Sequence, residues 1–219
     1  MCAGVQELEH LLGLIAAGLD ELRGSADIEK HDIRVKVAGD IAALPSRLRT
    51  AAEAVEAATQ HRGSGGLLTI CLGYGGRQDL VEAARRTALD YASGALSLDD
   101  INEQAISDRL STAGVPDADL VVRTSGEERI SNFLLWQIAY AELFFSPLPW
   151  PAFDAGLAPH PPPLDPGPPR ALLTCARATA LLRVALMRAH AASPAMKFHF
   201  CTHTQSVQVS LARQCPWVC

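Results

Sequence analysis

The sequence predicts an α/β fold, a parallel central sheet flanked by helices, followed by a proline-rich and poorly ordered C-terminal tail. Three observations carry that prediction. Strand-like runs at Ile33–Val37, Leu67–Leu72, Leu120–Val122 and Leu143–Phe145 are separated by stretches with helical periodicity. Leu67–Leu72 and Leu120–Val122 are apolar on both faces, as strands buried inside a parallel sheet are. From Ala155 onward the texture changes, and nine of the fourteen prolines lie there.

Taken in order, Val5, Leu8, Leu11, Leu12, Ile15 and Leu19 recur at helical spacing and predict an amphipathic helix ending near Gly24. Ile33, Val35 and Val37 alternate with Arg34 and Lys36, the pattern of a short strand with one solvated face, and stop at Gly39-Asp40. Pro45 suits the first turn of a helix carrying Leu48, Ala52, Val55 and Ala58. After the flexible turn 61–66 comes the buried strand Leu67–Leu72, closed by Gly73-Tyr74-Gly75-Gly76. Helices are predicted at Asp79–Ala92 and from about Leu98 to Ala113, the second with Asp99 and Asp100 in its first turn, where the helix dipole favours acids. Leu120–Val122 is a strand that runs into the polar loop 123–129. Ser131–Tyr140 then reads as a buried helix, and Leu143–Phe145 as the last strand. Two regions follow, a core over residues 1–154 and a basic tail over 155–219. Within the tail, Ala155–Arg170 reads as a linker and Ala171–Ala192 as a basic amphipathic helix.

Composition narrows the function. The 219 residues carry a net charge of −5, which gives no overall basic footprint for nucleic acid. The tail holds one acidic residue, Asp165, against six basic ones, so the core is strongly acidic and any anion site in it must be local. Glu7 and Glu9 interrupt the opening apolar pattern, which fits neither a signal peptide nor an Arg-rich transit peptide. No apolar run of about 18 residues is present to span a membrane. Six scattered cysteines without a short framework point to a reducing compartment.

The segment Asp119 to Glu142 carries the chemistry. It places Arg123 at a strand end, and Arg129 and Ser131 just before a predicted helix start. Guanidiniums, a hydroxyl and helix N–H groups together make a diphosphate cradle, because Arg matches phosphate oxygens bidentately and helix N-termini favour anions. Glu142 offers a hard carboxylate for Mg²⁺. The alternatives are structural: an ion pair between the strand-end Arg and Glu127 or Glu128, and a merely solvated Glu142. Gly73-Tyr-Gly-Gly-Arg77 resembles a phosphate loop only weakly, since it lacks the Lys-Ser/Thr of nucleotide-binding loops. Cys201, His203, Cys215 and Cys219 offer zinc ligands, but at spacings unlike a structural zinc site.

Arg123-Thr-Ser-Gly-Glu-Glu-Arg-Ile-Ser-Asn-Phe-Leu-Leu-Trp-Gln, then Ala-Tyr-Ala-Glu-Leu-Phe-Phe and Trp150-Pro-Ala-Phe, closely resembles the C-terminal signature of cis-prenyltransferases such as undecaprenyl diphosphate synthase. The resemblance reaches back through Gly73-Tyr-Gly-Gly-Arg-Gln-Asp and Ile33-Arg-Val-Lys-Val-Ala-Gly-Asp, covering roughly Val5 to Asp154, with wording closer to bacterial or plastid members. It implies condensation of isopentenyl diphosphate with an allylic diphosphate, such as farnesyl diphosphate, into a Z-polyprenyl diphosphate. It makes Arg123, Arg129, Ile130 and Ser131 ligands of the isopentenyl diphosphate and Glu142 a Mg²⁺ ligand. It further implies a homodimer, or a heterodimer with a related subunit, an apolar product tunnel beside the sheet, and a cytoplasmic or plastid-stromal location with membrane contact only at the surface, through product or tail.

The departures are as informative. The family's Asp-Gly-Asn-Gly-Arg-Trp motif, which holds the allylic diphosphate, and its Asn-Trp-x-Arg-Pro motif are absent from these 219 residues. Gly73 stands where asparagine is usual, and the tail replaces an arginine-rich helix. Impaired catalysis is therefore expected, or else a non-catalytic role as an isopentenyl-diphosphate-binding partner of a full-length enzyme. The tail reads as a read-through, alternative exon or frame-altered end.

Overall fold

The computed structural model describes residues 3–149, Ala152 and 207–212. Helix α1 (Ala3–Arg23) opens the chain, and the short α2 (Ala26–Lys30) is capped by Ser25, whose hydroxyl accepts from Asp27 N. Strand β1 (Ile33–Ala38) follows, with Val35 and Val37 buried and Arg34 exposed, as the alternation predicted. Helix α3 (Ser46–Thr59) starts behind Pro45, which presets the entry. Strand β2 (Gly66–Leu72) is buried along nearly its whole length, as its continuous apolar run requires. Helix α4 (Gly76–Ala92) begins one turn earlier than the periodicity suggested. The pair β3 (Leu120–Arg123) and β4 (Glu142–Phe145) completes the core.

Strands β1 and β2 run parallel, Ile33 opposite Gly66 through Ala38 opposite Cys71, and β3 and β4 are likewise parallel. The parallel, helix-flanked architecture is thus present, arranged as two ladders. Strand β1 lies at the edge of its ladder, and α3 covers that edge: Val35 N donates to Thr59 Oγ1 (3.0 Å) and Val37 N to Glu56 Oε1 (2.8 Å). Leu19, Leu22, Ile28, Val35, Leu48, Val55, Leu68 and Leu72 form a dry core between α1, α3 and the sheet. At the strand ends Gly39 has φ 125°, and a Cβ there would collide with the Leu72 carbonyl, so the turn out of β1 admits only glycine.

Three expectations need correction. The predicted helix from Leu98 to Ala113 shrinks to α5 (Glu103–Ser107), because the Ser97–Asp100 hydroxyl–carboxylate bond and the Asn102 cap at Ala105 N divert the flanking chain into turns. Ser131–Tyr140 is not a helix but a succession of turns. Ser131, Asn132 and Leu134 have φ of 48°, 63° and 45°, on the wrong side of zero for an α-helix. The tail reads from sequence as poorly ordered, yet its β5 (Val207–Ala212) pairs antiparallel with β2, Leu67 opposite Ala212 through Leu72 opposite Val207. The Ala155–Arg170 linker, the Ala171–Ala192 helix and the group Cys201, His203, Cys215 and Cys219 lie outside the described residues.

Candidate functional site

The site is built where β3 ends. Arg123, its last residue, lies opposite Phe145, and its carbonyl accepts from Ser146 N at 2.8 Å, which fixes the strand end. The chain then turns on Ser125 and Gly126, both left-handed, and their N–H groups donate to the carbonyls of Leu148 (2.7 Å) and Ser146 (2.9 Å). That turn returns Ser131 to the strand end: Arg123 Nη1 donates to Ser131 Oγ at 3.0 Å, with both residues half-buried. A guanidinium has five N–H donors, so this bond leaves others for an anion.

The other predicted residues stand differently. Arg129 is largely exposed and its guanidinium pairs with Glu127. The ion pair anticipated for Arg123 is therefore made by Arg129. Ile130 packs its side chain against the apolar cluster of Ala38, Cys71, Tyr74, Leu134 and Ile138, anchoring the loop. Glu142 begins β4 directly rather than ending a helix. It is exposed and sits opposite Leu120, at the far end of the ladder from Arg123. Three residues along a strand correspond to about 10 Å. Among the described residues, no three His, Cys, Asp or Glu side chains gather as a metal cluster. Glu142 by itself offers Mg²⁺ one exposed carboxylate, which does not make a complete Mg²⁺ site.

The helix N–H groups expected to help the cradle are also accounted for. No helix begins at Ser131, and the glycine turn before α4 is occupied by protein. Gly76 N donates to the Asn132 carbonyl (2.7 Å) and Arg77 N to Asn132 Oδ1 (2.9 Å), while Asn132 Nδ2 donates to Gln78 Oε1 (3.1 Å). The role of Asn132 was missed by sequence reasoning, and Glu127 was read as a partner of Arg123 rather than of Arg129. The signal for Asn132 was the Gly75-Gly76 pair, since adjacent glycines at a helix start mark a close approach as readily as a phosphate loop.

Beneath this loop lies a polar seam. Gln137 Nε2 donates to Thr112 Oγ1 (2.7 Å), and Ser111 N to Asp79 Oδ1 (2.8 Å). Tyr74 meets Phe133 edge-on, with ring centroids 5.9 Å apart. Burial, reinforced by the charge of Asp79, pushes the Tyr74 hydroxyl well above its usual pKa and the Cys71 thiol up to about 12. Cys71 is thus no nucleophile at neutral pH. A cavity lined by Thr69, Cys71, Thr112, Pro116, Leu134 and Gln137 is water-sized, too small for a prenyl chain.

The loop 123–131 that returns a hydroxyl to a strand-end arginine lies within the region matched by the prenyltransferase family model described as "Putative undecaprenyl diphosphate synthase", which spans residues 4–157. The chain belongs to this family. An isoprenyl transferase of Brucella abortus is 42% identical over 147 residues, covering 67% of this chain and 57% of that relative. A tritrans,polycis-undecaprenyl-diphosphate synthase (geranylgeranyl-diphosphate specific) of Picrophilus torridus is 41% identical, covering 66% and 56%. Among solved structures, lavandulyl diphosphate synthase from Lavandula x intermedia, in complex with dimethylallyl diphosphate, aligns with a TM-score of 0.58 at 35% identity, covering 64% of this chain and 61% of that one. The chain thus spans somewhat over half the length of the curated relatives it matches. The family works with Mg²⁺. Among the described residues no helix is long and apolar enough to cross a membrane.

Proposed function

We propose that this chain carries the isopentenyl-diphosphate half of a cis-prenyltransferase site. The reaction is condensation of isopentenyl diphosphate with an allylic diphosphate such as farnesyl diphosphate. The 3.0 Å contact between Arg123 and Ser131 carries the reading, because it joins a fixed cation and a hydroxyl at the end of a parallel strand. Ligands bind at the carboxyl ends of such strands. Arg123 grips the diphosphate bidentately, and Ser131 both orients that guanidinium and donates its own proton to a phosphate oxygen. Arg129 joins once the anion draws it from Glu127, and the Ile130 backbone lines the same turn. With the diphosphate held, the terminal alkene carbon of isopentenyl diphosphate bonds to C1 of the allylic partner as its C1–O bond breaks. The electron pair leaves with the departing diphosphate, and loss of a C2 proton restores a double bond in the Z configuration.

Glu142 would offer a Mg²⁺ ion one oxygen donor, and the ion would neutralise charge on a bound diphosphate. Pairing with a second copy or a related subunit, and a cytoplasmic or plastid-stromal location, belong to the same proposal. The same Arg123–Ser131 pair would serve a second reading, a non-catalytic partner that binds isopentenyl diphosphate for a full-length enzyme.

Incubating the purified chain with labelled isopentenyl diphosphate and farnesyl diphosphate tests both. Retention of label without elongation is expected of the chain alone, and elongation would reject the second reading. Absence of both retention and elongation would overturn the proposal as a whole.

A further inference from the structure

We propose that Asn132 is a positioning residue for the Arg123–Ser131 pair, latching the loop that carries Ser131 onto the first turn of α4. The inference rests on the diphosphate reading above, and its evidence is the geometry around one side chain. Asn132 makes three hydrogen bonds to three consecutive residues: its carbonyl accepts from Gly76 N, its Oδ1 from Arg77 N, and its Nδ2 donates to Gln78 Oε1. The N–H groups of a helix's first turn have no partner within the helix and carry its positive dipole end, so an acceptor placed there is held firmly.

The approach is close because Gly76 has no side chain. A Cβ there would stand 2.8 Å from Leu135 Cγ and 3.2 Å from the Asn132 carbonyl oxygen. Ser131 and Asn132 both lie in the left-handed region, so the latch over-determines a backbone that would otherwise relax. Ser131 is the adjacent residue. Its hydroxyl reaches Arg123 only while that backbone is held. Among the described residues the β1–β2 and β3–β4 ladders share no strand pairing, so the latch also registers the second ladder against the helix that leaves the first. The glycine turn read from sequence as a weak phosphate loop is, on this account, a socket for the loop that binds the phosphate.

The test compares Asn132→Ala and Asn132→Asp with the wild-type chain. Asp keeps the acceptor for Arg77 N, loses the donor to Gln78 and adds a negative charge that the N-terminal end of the α4 dipole favours. Thr87→Ala serves as a control for general destabilisation, since it removes a buried α4 hydroxyl bonded to the Ala83 carbonyl away from the loop. Isopentenyl-diphosphate affinity is measured by calorimetry and amide exchange at Gly76 and Arg77 by NMR. Asn132→Ala should weaken affinity about tenfold and speed exchange at both amides, while Asn132→Asp stays within about twofold. Wild-type affinity in Asn132→Ala, or equal weakening in Thr87→Ala, would overturn the positioning role. If the wild-type chain binds no isopentenyl diphosphate, the diphosphate reading fails and the positioning role with it, and unchanged exchange at Gly76 and Arg77 would reject the latch itself.

Discussion

The two ladders of this molecule are held together by different forces. Around β1 and β2 the contacts are apolar, and Leu48, Val55, Leu68 and Leu72 are almost wholly shielded from water. Around β3 and β4 the strands are short, β3 half-buried and β4 exposed over its first two residues, and order comes from directed bonds: the Arg123–Ser131 contact, the Ser125 and Gly126 amides on Leu148 and Ser146, and the Asn132 bonds to α4. Burial is non-directional and tolerant of small shifts, whereas a hydrogen bond of about 3 Å fixes an atom. The first region therefore supplies stability and the second supplies position. A site that must place a guanidinium and a hydroxyl on one anion needs the second kind.

Substitutions in the two regions should have separable effects on stability and on binding. Leu48→Ala in the dry core should cost about 2–5 kcal/mol of stability in urea denaturation, while isopentenyl-diphosphate affinity holds wherever the chain remains folded. A large loss of affinity by folded Leu48→Ala would break the separation. A smaller effect is set by pH. The Cys71 thiol ordinarily titrates at 9.0 and is raised to about 12 by burial first and Asp79 second. Above pH 9 the unfolded chain releases this proton while the folded chain keeps it, so stability falls between pH 9 and about 12, on the order of 1 kcal/mol per pH unit. Tyr74, also raised, adds in the same direction. Cys71→Ala should flatten the slope of denaturation midpoint against pH from pH 9 upward, and an unchanged slope would count against that assignment. The smallest effect belongs to the rim of the site. Glu127→Gln releases Arg129 and removes a negative charge, so isopentenyl diphosphate should bind about two- to threefold tighter, more so at low salt. Weaker binding would mean that Glu127 holds Arg129 in its working position.

The same contrast governs what was legible in the sequence. The core elements could be read because burial leaves a periodic trace: Val35 and Val37 alternating in β1, Leu67 to Leu72 continuous in β2, and Leu48, Ala52 and Val55 spaced along α3. The turns over 131–140 could not, because their apolar content mimics a buried helix while their course is set by left-handed residues docking on Gly76, a contact 55 or more positions away in sequence. Strand β5 was hidden for a similar reason, since pairing with the edge of β2 is decided by the partner strand. At the site, the residue types at Arg123 and Ser131 were read and the two are brought together. The partner of Arg129 and the ladder position of Glu142 depend on register and side-chain direction, which spacing alone does not encode.

In the function proposed for this chain, Arg123, oriented by Ser131, binds the diphosphate of isopentenyl diphosphate. The most direct measurement is a calorimetric titration of the wild-type chain and Arg123→Ala with isopentenyl diphosphate, after circular dichroism has shown both to be folded. A hydrogen bond to a charged group contributes about 1.5–3 kcal/mol, so Arg123→Ala should bind at least about tenfold more weakly. Equal affinity of the two folded proteins would contradict the account.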